Sequence, residues 1–369
     1  MADTQFGVNH PLAVKVWTRK LIEEAISQSW VGKFIGRDSN SLVHLYDELS
    51  KGPGDTVYPM LRMQLVGDGV QGDATLEGNE EELQTARDAV LLDQLRNAVR
   101  SKGRASEQRV PFFMREEAYM GLRDWYTARY DESFFNQICG NTGQSDTKFT
   151  GNNATIAPST NNHLFVGGTG EESLSASASS AFSLTVVDRM VARAKTKANT
   201  PIRPIRINGE EKYVLFIHPF QHHQLRSNTA TGQYIDIQKA AMQGGQISKN
   251  PLFTGAIGEY NGVIIHESNR VCRKYSTPVR WQSHVDISSL TQANVTRAVL
   301  CGAEACSMVL GNNQSSVSPA WFEELFDYGN KLGVAAGMIF GMKKSQFTIS
   351  GTAEDFGTVV ASTFSADPA

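Results

Sequence analysis

The chain has 369 residues, of which 40% are apolar and 20% charged, with a formal net charge of −3. At roughly 100–200 residues per domain, this length points to two domains or one discontinuous pair, each with room for a core. The near-neutral balance does not suggest a dedicated nucleic-acid binder, and no run of about 18 apolar residues is present to span a membrane.

The chain opens with MADTQFGVNHPLAVKVW, which lacks the basic-then-apolar pattern of a secretory signal. Residues 1–50 read as an extended arm and a short amphipathic helix, because Val14, Trp17, Leu21, Ile22, Ala25 and Ile26 recur at helical spacing before Gly32 and Gly36. Residues 51–104 read as a long two-stranded excursion. On the way out, Leu61, Met63 and Leu65 alternate with Arg62 and Gln64, which is strand periodicity. On the return, AVLLDQLRNAVR fits a strand or a helix. Isolated two-stranded ribbons are marginal in water, so a neighbouring subunit is the expected partner.

Residues 105–200 follow. In their first part Met114, Ala118, Leu122, Trp125 and Tyr126 predict a helix, extended by Phe134, Phe135 and Ile138 and opened by Pro111 in its first turn. A helix of about 28 residues would be a rod roughly 40 Å long. The segment 140–180 is rich in Gly, Ser, Asn and Thr, and reads as a long loop that is functional or solvent-facing. AFSLTVVDRMVARAKTK then reads as a helix. Residues 201–310 read as an α/β unit with strands at Tyr213–Ile217 and Val263–His266 and helical runs near Gln221–Arg226 and Ile235–Gln243. TRAVLCGAEACSMVLG closes that unit. Residues 311–369 mix a Trp/Phe-rich turn with glycine-punctuated strands, and no internal repeat is present.

The glycines of GDGVQG, Gly67, Gly69 and Gly72, match the dinucleotide fingerprint, but Asp68, Asp73, Glu77, Glu80, Glu81 and Glu82 crowd the stretch with no basic residue among them. A pyrophosphate would be repelled there, and a flexible loop tip is the better reading. Calcium by the EF-hand route fails on the spacing. His218, His222 and His223 cluster, with His266 and His284 further on, yet Pro219 takes the place of the glutamate in a metalloprotease helix. The plain reading is of histidines that cap or hydrogen-bond at a helix start, with His218 at the strand–helix junction. Asp355-Phe356-Gly357 copies the kinase triplet without its companion motifs. Cys139, Cys272, Cys301 and Cys306 form no zinc framework and read as buried thiols in a reducing compartment. No catalytic, cofactor or metal site is expected. A basic stretch carrying Arg100, Lys102, Arg104 and Arg109 reads either as a solvated turn or as the receiver of a neighbour's acidic tip, built from Asp68, Asp73, Glu77, Glu80 and Glu81.

The order of parts resembles the Hong-Kong-97-like capsid fold, an α+β architecture with an N-terminal arm, extended β-ribbon loop, long spine helix in a peripheral domain and an axial α/β domain. More narrowly it resembles tailed-phage major capsid proteins of the coliphage N-four type. GDGVQGDATLEGNEEEL is similar to the extended loop, VLLDQLRNAVRSKGR to its return, and NPLFTGAIGEYNGVIIHES to part of the axial domain. WFEELFDYGNKLGVAAGMIFGMKKSQF and DFGTVVAS are similar to the closing signature. The resemblance spans about residues 5 to 362 and implies a non-enzymatic protein. Its copies would form hexamers and pentamers of an icosahedral shell around double-stranded DNA, held without sequence reading. Portal, scaffolding and decoration proteins would be further partners, with assembly in the host cytoplasm, a place in the virion and no membrane. The axial domain would be 201–310, with the chain returning to the peripheral domain over 311–369. Related members can cross-link a loop lysine to a neighbour's asparagine, but the ribbon at 55–100 has no lysine, so that chemistry is not expected here. The rival readings are an encapsulin-like nanocompartment shell, a metal-dependent hydrolase using the histidine cluster, and a small-oligomer binding module.

Overall fold

The computed structural model describes residues 32, 34–46, 54–65, 67–110, 113–197, 201–207, 209–228, 259–278, 280–311, 320–349 and 351–368. The expected N-terminal helix (Val14 to Ile26), Pro111 and the helical run Ile235–Gln243 lie outside them. In chain order the strands begin with β1 (Ile35–Gly36), β2 (Val43–Tyr46), β3 (Thr56–Val57), β4 (Met60–Arg62), β5 (Thr85–Arg87), β6 (Val90–Leu91) and β7 (Asp93–Arg100). Helices α1 (Arg104–Glu107) and α2 (Met114–Cys139), strand β8 (His163–Phe165) and α3 (Leu184–Thr196) come next. Then follow β9 (Ile205–Ile207), β10 (Glu210–Ile217), α4 (Pro219–Ser227), β11 (Glu259–Tyr260), β12 (Val263–Glu267), β13 (Val295–Cys301) and β14 (Cys306–Leu310). The chain closes with β15 (Ala320–Phe326), β16 (Lys331–Lys344), β17 (Gln346–Ile349), β18 (Thr352–Asp355) and β19 (Thr358–Phe364). AVLLDQLRNAVR is therefore strand, as β6 and β7.

The described chain falls into two compact units. One takes residues 96–127 and 320–337; the other takes the described parts of 29–95, 128–318 and 338–369. In the smaller unit β15 and β16 form a hairpin with Ala320 opposite Gly337 and Phe326 opposite Lys331, and Ser101 N donates to Leu332 O at the end of β7. The hairpin turn holds Asp327, Tyr328 and Gly329 at positive φ. The residues WFEELF, expected in a turn, are thus an edge strand. Their apolar residues come in pairs rather than alternating, and Phe322 and Leu325 are exposed. The first half of α2 presents Ala118, Leu122 and Tyr126, one buried stripe at a spacing of four, and Tyr126 Oη donates to Ala336 O at 3.1 Å.

In the larger unit the strand order β11-β12-β10-β13-β19-β8, with β9 on β10, makes the main sheet. β13 is buried at every residue, so both its edges need partners: β10 antiparallel on one side and β19 antiparallel on the other. The sheet founded on residues 201–310 consequently takes two strands from outside that range, β19 and β8. Helix α3 lays Val187, Met190, Val191 and Ala194 into the core with Leu215, Ile217, Leu300 and Ala361. α2 has 26 residues, about 39 Å of helix, and from Tyr130 to its end it is buried on all sides. It stops at Gly140, whose φ of 64° allows Gly140 N to reach Gln137 O and Asn141 N to reach Asn136 O, a glycine-terminated helix end.

The segment 140–180 is not solvent-facing throughout. It contains short 3₁₀ turns and β8, and Asn141, Asn153, Asn162 and Ser180 are buried. Buried backbone outside regular structure must find side-chain partners, and amides supply them. Asn136 Nδ2 donates to Phe149 O and His284 O, Gln137 Nε2 to Thr150 O and Asn153 O, and Asn162 Nδ2 to Asp355 O and Thr358 O.

Candidate functional site

The ribbon starts as two short antiparallel ladders. Thr56 and Val57 face Leu91 and Val90, and Met60, Leu61 and Arg62 face Arg87, Ala86 and Thr85. The alternation in MLRMQL has its cause in packing: Leu61 and Met63 sit against the cluster of Ala86, Phe347, Ile349 and Phe356. The other face is open, with Met60 81% exposed and Tyr58 and Leu91 about half so. Beyond Met63, whose N–H donates to Gln84 O, residues 67–84 contain no strand or helix. Gly69, Gly72 and Gly78 adopt φ of +70, +67 and +88°, which suits glycine in a turning tip. No helix opens on Gly72, so the GxGxxG stretch has no phosphate-binding helix terminus. Glu81 Oε2 accepts from Gly67 N and Glu80 Oε2 from Gly78 N, both at 2.7 Å. The acidic residues thus partly tie the tip together.

All five acidic residues proposed for contact, Asp68, Asp73, Glu77, Glu80 and Glu81, are exposed on this tip, as are Leu65, Leu76 and Leu83. The four basic ones lie together in the smaller unit. Arg100 ends β7 with its guanidinium 5.1 Å from the Phe326 ring centre, Lys102 follows, Arg104 opens α1 and Arg109 lies just beyond it; all four are exposed. Asn330 Oδ1 accepts from Arg104 N, which fixes the start of that basic turn.

Four of the five candidate histidines have a structural employment. His218 is the N-cap of α4, its Nδ1 accepting from Phe220 N while Gln221 reaches back to His218 N. Burial, reinforced by Arg273, lowers its pKa to about 3, so it is a neutral cap. His222 pairs with Glu267, His266 stacks on Phe216, His284 stacks on Phe149, and His223 is exposed. Among the described residues no three His, Cys, Asp or Glu side chains are grouped to hold a metal.

The Asp355-Phe356-Gly357 triplet is explained residue by residue. Asp355 is fully buried against Lys344 at 2.9 Å and accepts from Ser159 N. Phe356 packs edge-on to Phe347. A Cβ on Gly357 would lie 2.5 Å from Ala305 Cα. Beside it Lys197 pairs with Glu354, also buried, and Arg297 is paired with Glu171 in a bidentate contact at 2.6 and 2.7 Å. Burial alone would raise the Glu171 pKa, but hydrogen bonds from Arg297, His163 and Ser362 outweigh it and hold the carboxyl well below its ordinary value. The Cys301 and Cys306 thiols are pushed up by burial, which makes them poor nucleophiles. Sequence reasoning missed these pairs, because each joins residues far apart in the chain. The one local hint was charge inside otherwise apolar strands, as at Lys344.

The α+β architecture, with a ribbon that leaves its own body and a long helix shared by two units, is that of Hong-Kong-97-like phage capsids. The chain is similar to the capsid of Ralstonia phage GP4, 28% identical with all of both chains covered and a TM-score of 0.78. It is also similar to the capsid asymmetric unit of cyanophage Pam1, 20% identical over all of both chains, TM-score 0.76. The holo-SrpI encapsulin complex from Synechococcus elongatus is a distant neighbour, 10% identical, covering 96% of this chain and 93% of that one, TM-score 0.50. In sequence the chain is 31% identical over 370 residues to the major capsid protein of Pseudomonas phage KPP25, covering 93% of each. It matches the phage capsid protein family over residues 5–367 and belongs to that family, which is a structural family and not one of enzymes.

Proposed function

We propose that this chain is the major capsid protein of a tailed bacteriophage and that its copies, as hexamers and pentamers, build the icosahedral head shell around a double-stranded DNA genome. The observation that carries the reading is the family match along nearly the whole chain, joined to the near-full-length similarity to a major capsid protein. The physical counterpart is a ribbon whose open apolar face and acidic tip are exposed among the described residues. Exposed apolar area of this kind marks a contact surface. The finer assignment to the coliphage N-four type is supported by the extended-loop, axial and closing segments quoted above. A near-neutral chain suits a wall that meets DNA without reading it. Portal, scaffolding and decoration proteins complete the set of partners, with assembly in the host cytoplasm. An encapsulin-like compartment is the second reading, favoured only by the shared fold.

In this account the acidic residues Asp68, Asp73, Glu77, Glu80 and Glu81 of one copy meet Arg100, Lys102, Arg104 and Arg109 of the next. Negative-stain microscopy and sedimentation velocity on the purified protein test the reading, with nuclease-protected DNA in native particles separating a virion from a compartment. Arg104→Glu combined with Arg109→Glu should weaken assembly while leaving the melting temperature in place. Normal assembly of that variant would remove the charge pairing from the account.

A further inference from the structure

At the root of the ribbon a side chain takes the place of a strand. Leu91, the last residue of β6, donates its N–H to Asn153 Oδ1 at 2.9 Å and accepts from Asn153 Nδ2 at 3.0 Å. One buried amide thus makes both bonds that a paired residue in an antiparallel ladder would make. The approach is close because position 341 is glycine: a Cβ there would lie 2.0 Å from Leu91 O. Asn152, at φ 64°, donates to Asp93 O at 3.1 Å and Phe340 O at 2.7 Å, so it bridges the return strand and β16. Gly151 turns the chain at φ 70° and its carbonyl accepts from Met342 N at 2.8 Å. The asparagine pair is itself held from below, since Gln137 of α2 donates to Asn153 O at 3.0 Å. Asp88 is tied to Lys343 of β16 and accepts from Gln346 N at the start of β17.

We infer that Gly151-Asn152-Asn153 is a clasp that fixes the direction in which the ribbon leaves the body, and that through this direction it determines the geometry of assembly. The inference rests on the shell reading above. A rigid two-bond contact at the root acts on a long lever, because the tip at residues 67–84 lies many residues beyond it. A small rotation at Leu91 moves the tip's contact groups by a large distance. The clasp residues are positioning residues: they need touch no neighbouring copy to decide where the ribbon meets one.

The test compares two buried asparagines of the same unit. Asn153→Asp keeps the acceptor for Leu91 N but loses the donor and turns a carboxylate towards Leu91 O. Asn162→Asp makes the same chemical change where the amide serves Asp355 O and Thr358 O and donates to no residue of the ribbon. Thermal melts of the unassembled proteins and particle-size distributions by electron microscopy are recorded for both. The expected result is destabilisation in both, with loss of uniform closed shells in Asn153→Asp alone. Equal size distributions for the two variants would overturn the clasp. If wild-type protein forms no shells, the shell reading fails instead. Should Asn153→Asp not fold, hydrogen exchange at the Leu91 amide in the wild-type protein decides. Protection matching that of β13 supports the clasp, and exchange as fast as that of the ribbon tip overturns it.

Discussion

The ribbon tip at 67–84 and the segment at 140–180 share a glycine-rich, polar composition and lie in the same unit. The tip is exposed almost throughout, and its Glu80 and Glu81 carboxylates accept from the tip's own backbone. The segment is threaded through the core, where the Asn141, Asn153 and Asn162 amides donate to backbone carbonyls and Glu171 is locked to Arg297. The difference lies in which polar side chains accompany the glycines. Carboxylates at the tip repel one another and favour water, whereas amides carry a donor and an acceptor and can replace a missing ladder. A loop rich in asparagine can therefore be a structural wall, while a loop rich in glutamate awaits a partner.

Lys344 holds both Asp355 and the carbonyl of Ala157 in the segment. Lys344→Met leaves a carboxylate buried and unpaired, and a loss of about 3–5 kcal/mol is expected in urea unfolding of the unassembled protein. A variant within 1 kcal/mol of wild type, roughly the worth of a surface pair, would mean that the segment is not held by this charge.

Acid is the next lever. The Glu171 carboxyl is depressed in the folded state, so its contribution is complete above the unfolded value of about 4.3 and is lost as pH falls below it. His218, depressed to about 3, adds a loss that begins as pH falls below its ordinary 6.5, because the unfolded chain takes up a proton that the fold excludes. Unfolding free energy measured against pH should decline below about 6.5 and steepen below about 4.3. Glu171→Gln should remove the steeper part, and an unchanged profile in that variant would dismiss the Arg297 pairing as its source.

Smaller effects sharpen the contrast. Asn141→Ala strands Asp286 O and Asn136 Oδ1, which accept from its amide, and should cost about 1–3 kcal/mol by the same urea titration. At the tip, replacing Asp73, Glu77 and Glu80 together by serine should shift stability by no more than about 0.5 kcal/mol, the range of surface changes, while impairing assembly. A melt lowered as much as that of Asn141→Ala would show that the tip is structural after all.

How far the fold could be read from the chain follows from the same physics. The long helix was legible because Ala118, Leu122 and Tyr126 must face one core, and β10 and β12 because their apolar runs lie inside a sheet. The alternation of Leu61 and Met63 was legible because Phe347 and Ile349 pack on one face only. β15 was not, since Phe322 and Leu325 are exposed and leave no alternating trace. Nor were Asn153 and Asn162, because an asparagine reads alike in solvent and in a core. The two bonds between Asn153 and Leu91 were not legible either, because they join residues that only the fold brings together.

The most direct test is a cryo-electron microscopy reconstruction of particles assembled from the purified protein, with its scaffold co-expressed if one is required. The account predicts closed shells in which Met60, Leu65, Leu76 and the acidic tip are covered by a neighbouring copy, while Asn141 and Asn162 keep their partners within their own chain. Shells in which residues 58–91 stand free of every neighbour, or a protein that stays monomeric under both conditions, would contradict it.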